Sequence, residues 1–284
     1  MRVVDALGWA QRLLQGAGLH EARREAEILL AACVNRERAW LIAHPEAVLS
    51  GQQRQRFERW VRRRARREPL AYITRRAWFY GLELTIGRGV LIPRPETELL
   101  VEVFLRWAAE AAGEFPILAD AGVGSGAIAI ACLRHAPQWL GVGVDRSRHA
   151  LRMAQVNRRK LGLTARLMLI QGEWLSALRP RSVNAVLSNP PYVLPDEWDA
   201  LQPEITQYEP RMALLVPAED PLLPYRCIAQ DALRILRRPS LLAFETSPRL
   251  APLLAEQLPC WGFANPQVVR DYSGAERVVY VVRD

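Results

Sequence analysis

The sequence predicts an α/β protein, in which a small helical domain precedes a doubly wound parallel sheet that ends in an antiparallel hairpin. Two observations indicate this fold. From residue 117 onward, short apolar runs alternate with helical patterns, as in a parallel sheet covered on both faces. Before residue 76, apolar residues recur mainly at helical spacing. We therefore expect a helical domain over residues 1–75, a β-hairpin linker over 76–93 and the main domain over 94–284.

The first domain is predicted to contain four helices, near residues 3–14, 22–32, 36–44 and 50–67. The fourth carries eight arginines: Arg54, Arg56, Arg59, Arg62, Arg63, Arg64, Arg66 and Arg67. Because Lys160 is the only lysine of the chain, this helix is explained equally well as a solvated face in a protein that prefers Arg. The functional alternative is a docking face for a phosphate backbone or an acidic protein surface.

In residues 72–92 the helical pattern ends, and apolar residues alternate partly at period two between glycines that can form turns. This pattern predicts a β-hairpin in the linker. A helix should then begin at or just before Thr97 and continue to Ala111. The main domain follows with strands predicted at 117–121, 141–144, 166–170, 183–188 and 241–245. Its helices are predicted at 125–133, 147–161, 221–237 and 248–258. The last two strands, 267–270 and 277–282, form the predicted antiparallel hairpin.

Composition excludes several classes of protein. The 284 residues carry a net charge of +8, which is weak evidence for an acidic partner because Arg is favoured along the whole chain. The four cysteines are widely spaced, without the C-x-x-C pairs of zinc sites or a disulfide framework. No signal peptide is evident, and no apolar run approaches the roughly 18 to 20 residues of a membrane span. We expect a soluble cytoplasmic protein without a metal.

A glycine-rich loop follows the first predicted strand of the main domain, as Asp120-Ala121-Gly122-Val123-Gly124-Ser125-Gly126-Ala127. Glycines let the backbone approach a ligand closely, and the next helix points its N-terminus at that ligand. Asp145 ends the second strand, where a carboxylate can accept both hydroxyls of a ribose. The pair indicates a cofactor that contains a nucleoside. It does not choose the cofactor, because the dinucleotide pattern G-x-G-x-x-A also fits, and a ligand-free turn is the simpler alternative.

The tetrapeptide Asn189-Pro190-Pro191-Tyr192 follows the buried strand 183–188. Ligands of open α/β sheets bind outside the carboxyl ends of the strands, and two prolines make this frame stiff. An amide or exocyclic amine is a poor nucleophile because its lone pair is delocalised. The Asn189 side-chain oxygen and the Pro190 carbonyl can accept hydrogen bonds from the two N–H groups of such a nitrogen and so orient it. Tyr192 can lie against the planar group. The pattern therefore predicts methylation of a planar nitrogen, although a strand-terminating turn is the simpler alternative.

Taken together, these motifs resemble the HemK/PrmC release-factor glutamine methyltransferases over nearly the whole chain. The segments that carry the resemblance are Phe79-Tyr80-Gly81, Leu91-Ile92-Pro93-Arg94-Pro95-Glu96-Thr97-Glu98, Asp120 to Ala127, Val144-Asp145-Arg146-Ser147, Asn157, Ser188 to Tyr192, Tyr208-Glu209-Pro210-Arg211, Asp271-Tyr272-Ser273-Gly274 and Glu276-Arg277. The Leu91 to Glu98 segment is the most specific to the family. The resemblance implies a Rossmann-like class I S-adenosylmethionine methyltransferase sheet.

The resemblance also implies the reaction and its partners. The family methylates the side-chain amide nitrogen (N5) of the glutamine in the Gly-Gly-Gln motif of class 1 peptide chain release factors, with S-adenosylhomocysteine as the second product. By this resemblance Gly122, Val123, Gly124, Ser125 and Gly126 hold the methionine part of S-adenosylmethionine, Asp145 its ribose and Trp174 its adenine, with Asn189 also beside the cofactor. Asn189, Pro190, Pro191 and Tyr192 grip the glutamine. We expect a monomer without stable nucleic-acid or membrane binding.

Three departures from the family pattern concern loops. Residues 215–222 lack the usual glycines, Ser247 follows Phe244-Glu245-Thr246 where glycine is usual, and Val123 replaces the more common Thr. Three alternative functions remain. The same tetrapeptide suits an adenine N6-methyltransferase on DNA or RNA. A glutamine of a ribosomal protein is another acceptor, and a non-catalytic module that holds RNA through residues 54–67 is the alternative outside enzymes.

Overall fold

The structure is a computed structural model that describes residues 1–111 and 115–284. The chain divides into two compact units. The first consists of Met1–Arg76 and Gln202–Tyr208, and the second of Ala77–Leu201 and Glu209–Asp284. The segment Gln202–Tyr208 is thus part of the helical unit, although the sequence predicts it in the main domain.

The described helices are α1 Val3–Gly16, α2 Ala22–Val34, α3 Arg38–Ala43, α4 Gly51–Ala65, α5 Leu70–Thr74, α6 Glu98–Glu110, α7 Ala127–His135, α8 Arg148–Lys160, α9 Pro203–Tyr208, α10 Leu223–Ile235 and α11 Ala251–Cys260. The strands are β1 Arg76–Phe79, β2 Leu82–Thr85, β3 Ile117–Ala121, β4 Leu140–Asp145, β5 Leu167–Gln171, β6 Val183–Ser188, β7 Leu236–Glu245, β8 Gln267–Arg270 and β9 Glu276–Arg283. Three short 3-10 helices lie at Pro95–Thr97, Pro195–Ala200 and Arg211–Ala213.

The helical unit has its own apolar core, in which Leu14, Leu29, Leu30, Phe57 and Val61 are fully buried. A capping box starts α4, since the Ser50 hydroxyl accepts the Gln53 N–H and the Gln53 side chain accepts the Ser50 N–H.

The basic helix α4 contains one arginine that belongs to the core of its unit. Arg64 is 5% exposed and pairs with Glu25 at 2.6 Å and with Glu204 of α9 at 2.8 Å. Arg67 binds the other oxygen of Glu204 at 2.8 Å. These pairs attach α9 to the helical unit, so Arg64 and Arg67 serve its structure.

The second unit contains a seven-stranded sheet with the order β5-β4-β3-β6-β7-β9-β8. Strands β3 to β7 pair in parallel, and β9 is antiparallel to both β7 and β8. The predicted fold class is therefore confirmed, including the C-terminal hairpin. The chain leaves β3 toward β4 and later returns to β6 on its other side, so the switch point lies between β3 and β6. Because Ala121 pairs with Ser188, the glycine loop and the tetrapeptide leave the sheet side by side.

Several boundaries differ from the sequence prediction. Helix α7 begins at Ala127 rather than at residue 125, because Gly126 has a left-handed φ of 86° at the N-cap. Strand β7 begins at Leu236 rather than at residue 241. Leu236 already pairs with Val183 of β6, and the register then shifts between Val183 and Ala185. Helices α5 and α9 and the 3-10 helices after β6 were not predicted, since each is too short to show an apolar period.

A two-stranded hairpin, β1 with β2, lies within the region predicted for one. Its two turn residues, Tyr80 and Gly81, both have positive φ, as a two-residue turn between twisted strands requires. Among the helices that the structure describes, none combines the length and apolar character needed to cross a membrane.

Candidate active site

A cavity of about 580 Å³ opens where β3, β4, β5 and β6 end. Its volume lies within the range of small-molecule sites. The loops after these four strands supply much of its lining, including Gly124, Asp145, Trp174, Asn189 and Pro190. The structure thus brings most of the residues predicted to bind the cofactor, together with Asn189, Pro190 and Pro191, to one cavity at the switch point of the sheet. Gly126 and Tyr192, which were also predicted, do not line it.

The glycine loop is shaped by its own backbone. Gly122, Gly124 and Gly126 all have positive φ, which side chains rarely allow, and Gly126 donates to the Val123 carbonyl at 2.7 Å. At Gly126 an added Cβ would also lie 2.9 Å from Ile130 Cδ1. The loop turns back tightly at this point, and α7 starts directly beyond it.

Asp145 holds the end of this loop and the start of α8. Its Oδ2 accepts the Gly124 N–H at 2.9 Å and its Oδ1 accepts the Ser147 N–H at 2.8 Å. Burial raises the pKa of this carboxyl above its ordinary value, and the two N–H donors oppose the shift. Each oxygen keeps a lone pair, so Asp145 can accept two further hydrogen bonds from the cavity. Trp174, with a positive φ of 45°, lines the same cavity from the loop after β5.

The tetrapeptide is anchored by its neighbours. Ser188 donates to the Ala121 carbonyl at 2.6 Å, which ties the end of β6 to the end of β3. Asn189 Nδ2 donates to Thr97 Oγ1 at 3.1 Å, so the other end of its carboxamide, Oδ1, is left for the cavity. The Tyr192 N–H donates to the Leu214 carbonyl at 3.1 Å, and its hydroxyl lies 3.3 Å from Glu245 Oε1. Both ends of the tetrapeptide are therefore held.

Family models match two parts of the chain, the PrmC N-terminal domain at residues 5–74 and the methyltransferase small domain at residues 95–206. Relatives named release factor glutamine methyltransferase match end to end. The protein of Caulobacter vibrioides is 34% identical over 100% of this chain and 97% of its own, and that of Cereibacter sphaeroides 37% over 98% of each. That of Moorella thermoacetica is 36% identical over 100% of this chain and 99% of its own.

The chain belongs to the release factor glutamine methyltransferase family. Solved structures that resemble it are more distant. The N-terminal domain of human METTL16 in complex with SAH has a TM-score of 0.51 at 15% identity, covering 84% of this chain and 85% of its own. The catalytic domain of the same human protein with an RNA hairpin has a TM-score of 0.54 at 16% identity, covering 81% of each. At such identities these likenesses show the methyltransferase fold alone.

The segment most specific to the family, Leu91 to Glu98, supports the site. Glu209 is 6% exposed, accepts the Ile92 N–H at 3.1 Å and forms an ion pair with Arg94. Thr97 receives the hydrogen bond from Asn189, and Leu91, Pro93 and Thr97 line the cavity. The segment therefore lines the cavity and holds the Asn189 side chain in place.

Asn157 fastens the hairpin to the glycine loop. It is fully buried on α8, accepts the Thr85 N–H at 2.7 Å and donates to the carbonyls of Thr85 and Ser125 at 2.9 Å each. The sequence singled out Asn157 through the family pattern, without a role. Asn157 follows Ala150 and Ala154 at helical spacing, and a polar residue on the side of α8 that carries these alanines is the sequence signal for a structural role.

Glu245 lies beside the site, where its Oε1 accepts from the Tyr192 hydroxyl, and the sequence did not assign it a role. It ends β7 at 1% exposure, and burial raises its pKa to about 7. A glutamate directly after the apolar run of residues 241–244 is a visible signal, because a buried strand seldom ends in an acid without a partner.

Val123 is 4% exposed and fits against Gly143 of β4, where an added Cβ would lie 2.6 Å from Val123 Cγ2. A narrow cleft of about 10 Å³ adjoins the tetrapeptide and is lined by Leu91, Arg94, Asn189, Tyr192, Ala213 and Leu214. Across residues 1–111 and 115–284, no three His, Cys, Asp or Glu side chains are grouped to hold a metal ion.

Proposed function

We propose that this protein transfers a methyl group from S-adenosylmethionine to the side-chain amide nitrogen (N5) of the glutamine in the Gly-Gly-Gln motif of class 1 peptide chain release factors. The observation that carries the proposal is the placement of Asn189 and Pro190 on the same cavity as the glycine loop and Asp145. Membership of the release factor glutamine methyltransferase family supports the choice of a release-factor glutamine as the acceptor.

The residues around the cavity fit S-adenosylmethionine. The Gly122–Gly126 backbone, with no Cβ at three of its five positions, can hold the methionine part, while the free lone pairs of Asp145 suit two ribose hydroxyls. Trp174 offers an aromatic surface for the adenine. When bound, S-adenosylmethionine supplies an electrophilic methyl group on a positively charged sulfur.

The tetrapeptide would orient the acceptor. Asn189 Oδ1 and the Pro190 carbonyl are acceptors, so they can receive the two N–H bonds of a glutamine amide and aim its nitrogen at the methyl group. As the C–N bond would form and the methyl–sulfur bond break to leave S-adenosylhomocysteine, positive charge would grow on the nitrogen and both hydrogen bonds would strengthen, which would stabilise the transition state. The nitrogen would then lose one of its two protons to water. Tyr192 would pack against the amide plane; its ring lines the small cleft beside Asn189.

The helical unit would dock the protein substrate. Arg54, Arg56, Arg59, Arg62 and Arg66 of α4 and its C-cap are exposed, whereas Arg63 pairs with the buried Glu68. The exposed members form a positive surface suited to an acidic face of a release factor. We infer that the enzyme works as a cytoplasmic monomer, with residues 1–75 as docking domain, 76–93 as linker and 94–284, apart from Gln202–Tyr208, as methyltransferase domain.

The test is incubation with labelled S-adenosylmethionine and, in separate reactions, a class 1 release factor, a ribosomal-protein mixture and DNA. We expect label in the release factor, and mass spectrometry should place it on the Gly-Gly-Gln glutamine. The exposed arginines give one alternative some weight, an adenine N6-methyltransferase. Label in DNA but not in the release factor would replace our proposal with that function.

A further inference from the structure

We propose that Asn157 is a positioning residue for S-adenosylmethionine, because it fixes two walls of the cofactor cavity to helix α8. One wall is the glycine loop, and the other is the stretch from Thr85 to Leu91, which we call the wall segment. Gly89, Val90 and Leu91 of this segment line the cavity, whereas Asn157 does not. The inference rests on the cofactor binding of the proposed function and concerns the same site.

Three hydrogen bonds join Asn157 to these two walls. Its Oδ1 accepts the Thr85 N–H at 2.7 Å, and its Nδ2 donates to the carbonyls of Thr85 and Ser125 at 2.9 Å each. Because one end of the carboxamide meets a donor and the other end meets two acceptors, only one orientation satisfies all of its partners. Asn157 is fully buried, so water does not compete for these bonds. One side chain therefore ties the glycine loop to the end of β2.

The wall segment follows α8 toward the start of that helix. Its first contact is the hydrogen-bonded Thr85 at the end of β2. Two residues further on, an added Cβ at Gly87 would lie 3.0 Å from Met153 Cε. After two more residues, an added Cβ at Gly89 would lie 3.7 Å from His149 Cβ. The segment thus passes along one side of α8 before it reaches the cavity at Gly89.

The helix residues that meet the wall segment are four positions apart: His149, Met153 and Asn157. Four residues of helix rise about 6 Å, and two residues of extended chain advance about 6.6 Å, so the two repeats match. Van der Waals contacts at the glycines permit sliding, whereas paired hydrogen bonds to both backbone groups of Thr85 do not. Asn157 therefore sets the register of the wall segment on α8, and with it the position of Gly89 in the cavity.

The glycine loop is fixed to the same helix. An added Cβ at Gly126 would lie 3.4 Å from Ala154 Cβ, so the loop packs on α8 less than one turn from Asn157. Within the loop, Asp145 holds the Gly124 N–H and Asn157 holds the carbonyl of the next residue. Without Asn157, S-adenosylmethionine would have to order both walls as it binds, and this ordering would lower its affinity.

A matched pair of variants, Asn157→Ala and Asn184→Ala, tests this inference. Asn184 is also a buried Asn with three hydrogen bonds: its Oδ1 accepts from the Ile117 N–H and from Arg237 Nε, and its Nδ2 donates to the Pro239 carbonyl. It lies near the start of β6, at the edge of the sheet opposite the cavity. Both variants should lower Tm, because each leaves buried polar groups without their partner.

Cofactor affinity should separate the two variants. We expect Asn157→Ala to weaken S-adenosylmethionine binding by at least about 10-fold in isothermal calorimetry, because its walls are no longer held in the binding geometry. Asn184→Ala should bind within about 2-fold of the wild type, because it is remote from the cavity. In the cofactor-free protein, amide hydrogen exchange of the glycine loop, including the Gly126 N–H, should become faster in Asn157→Ala alone.

The acceptor side of the site should be little affected. At saturating S-adenosylmethionine, the KM of Asn157→Ala for a Gly-Gly-Gln peptide should change by less than about 3-fold, because Thr97 and Leu214 still hold the tetrapeptide. Asn157→Leu keeps the volume of the side chain and removes the same three bonds. It should show the same loss of cofactor affinity, and it decides the question if Asn157→Ala does not fold.

Calorimetry needs no acceptor, so the two proposals fail separately. A wild-type protein that binds S-adenosylmethionine but methylates neither the peptide nor the whole release factor would refute the proposed function alone. Wild-type cofactor affinity in a folded Asn157→Ala or Asn157→Leu variant would overturn the positioning role. An equal loss of affinity in Asn184→Ala would also overturn it, because the loss would then follow stability rather than the position of the cavity walls.

Discussion

In the proposed reaction Asn189 is the central residue, since its oxygen and the Pro190 carbonyl are the acceptors proposed for the substrate amide. We predict that Asn189→Ala lowers kcat by about 100- to 1,000-fold, as expected when a fixed transition-state hydrogen bond is lost. Cofactor affinity should fall far less, because Asp145 and the glycine loop are untouched. Single-turnover methylation and calorimetry measure the two effects; near-normal turnover would refute the role of Asn189.

Asp145 should show the opposite pattern. Removing its carboxylate takes away the two proposed ribose contacts and also leaves the N–H groups of Gly124 and Ser147 without their acceptor. We predict that Asp145→Ala weakens S-adenosylmethionine binding by at least about 10-fold, the loss expected when even one hydrogen bond to a charged group, at about 1.5 to 3 kcal/mol, is removed. Isothermal calorimetry checks this, and unchanged affinity would remove the ribose assignment.

At the scale of elements, the glycine loop and strand β4 fit each other through one pair of residues. Gly143 has no Cβ at the point where Val123 packs, and the closest approach of an added Cβ would be 2.6 Å. Since the usual Thr is of similar size to Val, the departure at Val123 is accommodated rather than disruptive. The geometry of the glycine loop should therefore depend on the absence of a side chain at position 143.

We predict that Gly143→Ala displaces the loop and lowers both Tm and S-adenosylmethionine affinity, because overpacking costs about 1–3 kcal/mol. The double variant Gly143→Ala with Val123→Ala should recover part of the loss, since it removes the methyl that clashes. Denaturation and calorimetry on the wild type, the single variants Gly143→Ala and Val123→Ala, and the double variant form a double-mutant cycle. Strictly additive effects would show that the two positions do not interact.

At the scale of the whole molecule, α4 provides the proposed contact with the release factor. We predict that Arg59, Arg62 and Arg66 changed together to Glu slow methylation of the whole factor by at least about 10-fold, while a short Gly-Gly-Gln peptide reacts almost normally. The matched control changes Arg152, Arg159 and Arg179 to Glu. These residues are also exposed, and the control changes the net charge by the same amount as the α4 variant. Equal losses on factor and peptide would argue against docking through α4.

The fold was predictable because its signals are local. Apolar runs such as residues 183–188 and the glycines of the 122–126 loop are visible within a few residues. The side-chain contacts that hold the site and the helical unit together were not predictable, because they join positions far apart in the sequence. Thr97 and Asn189 are 92 residues apart, and Arg64 and Glu204 are 140 apart. For the same reason the sequence could not assign Gln202–Tyr208 to the helical unit.

The most direct test of the central claim is a fragment mass spectrum of a class 1 release factor after incubation with the wild-type protein and S-adenosylmethionine, with Asn189→Ala as parallel control. We predict one added methyl group on the side-chain nitrogen of the Gly-Gly-Gln glutamine, which is absent from the control. A methyl group on any other residue, or the same modification in the Asn189→Ala reaction, would contradict the proposed reaction.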